Sequence, residues 1–201
     1  MYTKRLNTPR TWYKHNAKKY IISLNPGKPS ELSIPIGLIL KQILDEKTTQ
    51  IRKIIRVDIL VNNKKIKSIN YPVMLLDIVS YKDKKYVLTM KNKRLVLDET
   101  DSTHLFLRID KFKKYSKEEY QLNLNNGFNL LTKEKPISKF LKYNIENKQF
   151  ELLIPTINDK FIVTKGKYLG DILVCKSTEP FVLQYKDEIR NLQLNQIIKI
   201  E

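Results

Sequence analysis

The residues of this chain best suited to chemistry are its cations. Arg52, Lys53 and Arg56 fall within about one helical turn, so on a helix they form one concentrated positive face. Lys64, Lys65 and Lys67 follow beside Asn63, and Lys4, Arg5, Arg10, Lys14, Lys18 and Lys19 crowd the first twenty residues. Lys165 and Lys167 add a further pair near the other end. The cations comprise 31 Lys and 7 Arg. Lysine meets phosphate as a mobile point charge, whereas arginine suits bidentate reading of guanine edges, so the excess points to backbone and shape recognition. Trp12 lies inside the N-terminal basic run, either as a ring for a base or as an anchor folding the segment onto the body. Nothing of comparable density supports catalysis. His15 has no acidic neighbour to orient it as a base, and Asp101, Ser102 and His104 are too close in sequence to form a triad. Gly166-Lys167 lacks the spacing and terminal Lys-Ser/Thr of a phosphate-binding loop. The expectation is therefore no catalytic residue, no metal ligand, no cofactor and no small-molecule substrate.

Charge says what those cations are for. Against 38 Lys and Arg stand 21 Asp and Glu, a net +17 in 201 residues. Such a surplus repels itself in a compact chain, and a polyanion relieves the repulsion, which makes nucleic acid the leading partner. Residues 1–30 carry +7 with no acidic side chain, residues 31–100 carry +6 and the remainder +4. An RNA footprint centred on the front half is the simplest reading. The 41% of apolar residues suffices for a core. The single cysteine, Cys175, excludes an internal disulfide framework, and its apolar strand makes it a buried, inert thiol. No apolar run approaches the ~20 residues of a membrane span, and the first residues lack a signal peptide's apolar core. The cytoplasm is the expected compartment.

The elements that must position the cations can be read from periodicity. Residues 1–33 show no steady period and contain Pro9, Pro26 and Pro29, as a basic arm that orders on its partner would. Ser33-Ile34-Pro35 reads as a helix start with Pro35 near the first helical position, and the apolar helix behind it ends near Asp45. A second helix, capped at Thr48 or Thr49, runs through Ile51, Ile54 and Ile55 with the Arg52 face outward. The period then changes to two. Ile59-Leu60-Val61, the turn Asn62-Asn63 and Lys64 to Lys67 form a hairpin, asparagine tolerating the left-handed backbone such a turn needs. From Lys84 onward short strands recur, with turns at Asn125-Asn126-Gly127 and Glu146-Asn147-Lys148. That spacing indicates a β-rich, barrel-like domain to residue 155 and a smaller barrel after it.

Lys4-Arg5-Leu6 with Pro9 and Trp12, Tyr71-Pro72 and the run Leu75-Leu76-Asp77-Ile78-Val79 give the chain a resemblance covering nearly its whole length. It resembles the archaeal and eukaryotic small-subunit ribosomal protein family S-four-E. The resemblance implies an α+β, multi-module fold: a basic N-terminal arm (1–35), an S-four-type α/β RNA-binding domain (36–82), a central β-barrel-like domain (83–155) and a C-terminal KOW/SH3-like barrel (156–201). Thr164-Lys165-Gly166-Lys167-Tyr168-Leu169-Gly170 is similar to the KOW motif, with Asp171 where the family tends to be basic and Leu173 where it has glycine. Asn63 replaces the glycine usual in the family's hairpin. The implied function is a structural constituent of the small ribosomal subunit, with small-subunit rRNA and neighbouring ribosomal proteins as partners. The alternative is an RNA-modifying enzyme or a free translation factor using the same RNA-binding module. Residues 85–201 hold no Gly-Arg-Leu-Asp-type segment and are too few for such an enzyme's catalytic domain.

Overall fold

The computed structural model describes residues 2–12, 19–44, 48–178, 181–186, 188–190 and 192–200. The chain divides into two compact units, Met1–Thr103 and His104–Glu201.

In the first unit, β1 (Tyr2–Lys4) pairs antiparallel with β2 (Tyr20–Ile22). β3 (Ser33–Pro35) leads directly into α1 (Ile36–Leu44), and α2 (Thr48–Val57) follows. The expected helix start at Ser33 is therefore corrected. Ser33, Ile34 and Pro35 are strand residues opposite Met74, Val73 and Pro72 of β6 (Pro72–Met74), and the helix begins at Ile36. Pairing in a two-stranded ribbon leaves each proline nitrogen free of the ladder, so the strand tolerates both prolines. Asp45, the predicted helix end, lies outside the described residues. Ile36, Ile39 and Leu40 are buried along α1. A Cβ added at Gly37 would stand 2.8 Å from Ile22 Cδ1 and 3.0 Å from the Ile69 carbonyl oxygen, so glycine lets the helix approach both.

β4 (Ile59–Val61) and β5 (Lys64–Lys65) form the expected hairpin, with Asn62 and Asn63 at φ 50° and 60°. Two successive left-handed residues make the primed turn whose twist matches the strands. β7 (Ile78–Tyr81), β8 (Lys84–Lys91) and β9 (Arg94–Glu99) complete a five-stranded sheet of order β5-β4-β7-β8-β9. The expected domain boundary after residue 82 falls in the turn joining β7 to β8, whose residues pair from Ile78↔Val87 to Tyr81↔Lys84. A ladder crossing that point makes 84–99 part of the same sheet as the hairpin.

One buried carboxylate organises this unit. Asp77, 1% exposed, accepts from the Met74 amide at 2.7 Å, the Asn62 side-chain amide at 2.8 Å and Lys28 Nζ at 3.1 Å. Asn62 in turn accepts from the Ile78 amide at 2.8 Å. Leu76 adopts φ 69°, and this tight turn brings the Asp77 side chain back onto the Met74 amide.

The second unit opens with β10 (His104–Lys114), which pairs with two partners in succession. His104 to Arg108 face β13 (Phe140–Asn144), while Ile109 to Lys114 face β11 (Tyr120–Leu124), with a register irregularity between Ile109 and Lys111. With β12 (Asn129–Thr132) and β14 (Phe150–Leu153) the sheet runs β12-β11-β10-β13-β14. A second five-stranded sheet runs β18-β17-β16-β15-β19. Its strands are β15 (Lys160–Val163), β16 (Ile172–Thr178), β17 (Phe181–Tyr185), β18 (Glu188–Arg190) and β19 (Ile197–Lys199). The molecule is thus mostly β. The expected boundary at 155/156 is crossed by one core, in which Phe140 packs edge-on against Phe161 at 5.3 Å with Val163, Leu173, Cys175 and Leu183. Arg108, 6% exposed, bonds Asp110 (2.8 Å), Thr164 Oγ1 (3.4 Å) and the Ile197 carbonyl (3.2 Å), tying the two sheets together. Burial pushes the Cys175 thiol up from its ordinary range, with the Asp159 charge adding to the effect.

Asp159 ties the start of β15 to β19. Its carboxylate accepts from Lys199 Nζ and from the Thr156 amide. Burial alone would raise its pKa, but these donors and the Lys199 charge outweigh it and hold the carboxyl below the ordinary range. A carboxyl depressed in the folded state contributes stability above its unfolded value, ~4, and that contribution is lost as pH falls through the folded value. Asp159→Asn is therefore expected to cost about 2 kcal/mol at pH 7. In urea titrations at stepped pH, the gap to wild type should close below about pH 4; a gap constant down to pH 2 would assign the loss to packing.

Candidate nucleic-acid interface

The positive face expected on the second helix is formed. Ile51 and Ile55 are both buried, which turns Arg52, Lys53 and Arg56 to solvent. This is the amphipathic arrangement that places apolar residues four apart on the core side and cations on the other. The chain leaving β5 brings Lys67 to the same place. Arg52, Arg56, Lys67, Ser68, Ile69 and Asn70 line a shallow groove of about 200 Å³. Three cations and a serine hydroxyl around one depression suit a phosphate-bearing ligand. The groove floor is rigid, because the Ile69 carbonyl accepts from the Gly37 amide at 2.9 Å and Asn70 donates to the Ser23 carbonyl at 2.6 Å. Asn63, Lys64 and Lys65 are exposed at the adjoining hairpin, with their backbone set by the primed turn.

The N-terminal cations are placed differently from the expectation of an arm without structure of its own. Lys4 is exposed on β1 opposite Tyr20, and Lys19 Nζ lies 5.8 Å from the Tyr20 ring centre. The Arg5 amide bonds the Lys19 carbonyl at 3.0 Å, and Arg10 is exposed just beyond. Lys14, Lys18 and His15 lie outside the described residues. Of the two readings of Trp12, stacking ring or anchor, the structure has the anchor. Trp12 is 3% exposed and donates its indole N–H to the Ser30 carbonyl at 3.0 Å, while the Leu95 amide bonds the Thr11 carbonyl at 2.7 Å. A ring enclosed in this way anchors the segment and offers no face to a base.

Lys165 and Lys167 are exposed in the second unit on the loop between β15 and β16, Lys167 with its Nζ 4.8 Å from the Tyr168 ring centre. The loop is held from within. The Arg190 guanidinium lies 3.7 Å from the Tyr168 ring centre and 4.7 Å from that of Tyr185, and it pairs with Asp171 at 3.3 Å and Glu188 at 3.2 Å. Asp171 is thus the partner of a cation stacked between two tyrosines. Sequence reasoning did not single out Arg190, because only the fold brings β18 beside this loop. His104 lies across from Asn144 in the β10–β13 ladder. Among the described residues no group of three or more His, Cys, Asp or Glu could hold a metal ion, and no helix is long and apolar enough to cross a membrane.

The small ribosomal subunit protein eS4 of Saccharolobus islandicus is 30% identical over 177 residues, spanning 82% of this chain and 72% of its own. Its counterpart in Sulfurisphaera tokodaii is 26% identical over 176 residues, spanning 78% and 70%. The crystal structure of the 30S ribosomal protein S4e from Thermoplasma acidophilum superposes with a TM-score of 0.66 over 84% of this chain and 94% of that one, at 15% sequence identity, a likeness of fold. No protein-family model matches the chain.

Proposed function

The chain belongs to the eS4 family of small-ribosomal-subunit proteins, and we propose from that premise that it holds small-subunit rRNA through charge and shape as a structural constituent of the subunit. The observation that carries the RNA-binding part is the α2 face: Arg52, Lys53 and Arg56 are exposed by the burial of Ile51 and Ile55, and Lys67 joins Arg52 and Arg56 at one groove. In this reading α1, α2 and the β4–β5 hairpin are the S-four-type RNA-binding element within residues 36–82. Residues 83–155 fill space between rRNA helices as the central β-rich module. Residues 156–201 form the KOW-like module, where Lys165 and Lys167 supply phosphate contacts beside the loop that Arg190 closes. Lys4, Arg5, Arg10 and Lys19 add charge from the N-terminal segment. Neighbouring small-subunit proteins are the other partners, and the cytoplasmic ribosome is the site of action. The chain is read as scaffold and not as an enzyme.

Sedimentation of a native extract through a sucrose gradient at moderate and high salt tests this reading. Co-migration with the small subunit that survives the salt wash is the expected result. Recovery at the top of the gradient at both salts would make the chain a free RNA-binding factor.

A further inference from the structure

The front of the chain carries most of the net charge, yet the second unit has a basic surface that charge counting passes over. β10 outruns its pairing with β13, which ends at Arg108↔Phe140, and continues as a ribbon with β11 and β12. One face of this ribbon is apolar, with Leu122 and Leu124 buried and the half-exposed Phe112 edge-on to Tyr120 at 6.5 Å. Side chains alternate across a strand, so the other face is fixed by register. Lys111 stands opposite Asn123 and Asn129, and Lys113 opposite Gln121 and Leu131. Lys111, Lys113, Asn129 and Leu131 are exposed.

Two lysines, three amides and one leucine make a face with no carboxylate on it. Two solvent-facing lysines on the sheet of the first unit are handled otherwise: Lys84 pairs with Glu99 at 3.0 Å and Lys91 with Asp98 at 2.6 Å. Among the described residues Lys111 and Lys113 have no such pair, and the nearest carboxylate in sequence, Asp110, is held by Arg108. Two lysines at i and i+2 on one face, about 7 Å apart, repel each other weakly in water, and a polyanion laid on that face relieves the repulsion. The sequence signal is the alternation Lys111-Phe112-Lys113, which marks a two-faced strand.

We infer that this ribbon face is a second rRNA-binding surface, laid against the sugar-phosphate backbone of an RNA duplex. Lys111 and Lys113 neutralise phosphates, and Gln121 and Asn129 exchange hydrogen bonds with 2′-hydroxyls, the groups an RNA duplex displays in its shallow minor groove. The inference rests on the functional reading above and extends it to residues of the second unit.

The test is the affinity of the full chain for a full-length small-subunit rRNA transcript, measured from low to physiological salt. Four proteins are compared: wild type, Lys111→Gln with Lys113→Gln, a control removing two paired cations (Lys84→Gln with Lys91→Gln), and an α2 variant (Arg52→Gln with Arg56→Gln). The ribbon variant is expected to bind about tenfold more weakly at low salt, with a salt slope shallower by about 2, while the control matches wild type. Thermal unfolding of the ribbon variant should match wild type, as expected for exposed substitutions. A ribbon variant that binds like wild type while the α2 variant is weakened would overturn the inference and leave the functional reading standing. Equal weakening of ribbon variant and control would also overturn it, by reducing the effect to net charge. Failure of wild type itself to bind would remove the functional reading and the inference together.

Discussion

Replacing Arg52, Lys53 and Arg56 together by glutamine is expected to remove half of the salt dependence of rRNA binding. If the chain neutralises roughly six phosphates, its affinity falls about a thousandfold or more between ~50 and ~200 mM salt, at a slope near 0.9 per phosphate. With three contacts gone, the same salt interval should cost the variant only about fortyfold. The variant should also be much the weaker binder at low salt, where the lost contacts count most. The fold should survive, because all three side chains are exposed and the residues that seat the helix, Ile51 and Ile55, are untouched. Far-ultraviolet circular dichroism and a thermal melt verify that part. Filter binding across a salt series verifies the slope, and a slope equal to wild type would take the α2 face out of the site. Lys67 extends the experiment: it shares the groove with Arg52 and Arg56, so Lys67→Gln should lower the slope by about one more.

The largest loss of stability is expected at a residue that touches no RNA. Asp77→Ala strips a buried carboxylate from three donors at once, the Met74 amide, the Asn62 side chain and Lys28, and leaves Lys28 largely buried beside a void. Breaking a buried charge pair from one side costs about 3–5 kcal/mol, because the remaining charge and the orphaned donors keep their desolvation penalty. Asp77→Asn keeps one acceptor oxygen and should cost less. Asn62→Gly keeps the turn's left-handed backbone but loses the bonds to Asp77 and the Ile78 amide, and about 2 kcal/mol is expected. Urea unfolding followed by fluorescence of Trp12, the chain's one tryptophan and buried in the same unit, reads all three directly. Loss of less than about 1 kcal/mol in Asp77→Ala would show that water replaces the carboxylate at little cost.

These two experiments separate what local pattern encodes from what it does not. The α2 face was legible because its signal is local: apolar residues at 51 and 55 and cations at 52, 53 and 56 fall on opposite sides of any helix. The hairpin at Asn62-Asn63 was legible for the same reason, since asparagine is among the few residues that accept a left-handed backbone. The alternation from Tyr86 to Ile200 likewise marked the strands, because a half-buried sheet imposes a period of two wherever it occurs.

Other features depend on a remote partner. Pro35 carries the mark of a helix start, but Ser33–Pro35 pairs with Pro72–Met74, nearly forty residues on, and the helix waits for Ile36. Trp12 in a basic run is compatible with a stacking platform or an anchor, and the Ser30 carbonyl decides for the anchor. The expected module boundaries at 82/83 and 155/156 both lie where chain neighbours pack together, through the β7–β8 ladder in one case and the Phe140–Phe161 contact in the other. Asp77 stands in an otherwise apolar run, Leu75 to Val79, and its purpose needs Lys28 and Asn62, which are far from it in sequence.

By itself, then, the sequence determined the polyanionic character of the partner, the helix that presents arginine and lysine together, and the turns and strands that follow. Each depends only on composition or on residues within a few positions of one another. The tertiary structure alone decided which cations share a groove, which aromatic ring is enclosed, where a carboxylate is buried and how Arg190 meets Tyr168, Tyr185 and Asp171. Those outcomes depend on side chains tens of residues apart meeting in a water-poor interior, where one hydrogen-bond partner decides whether a group is buried at a gain or at a loss.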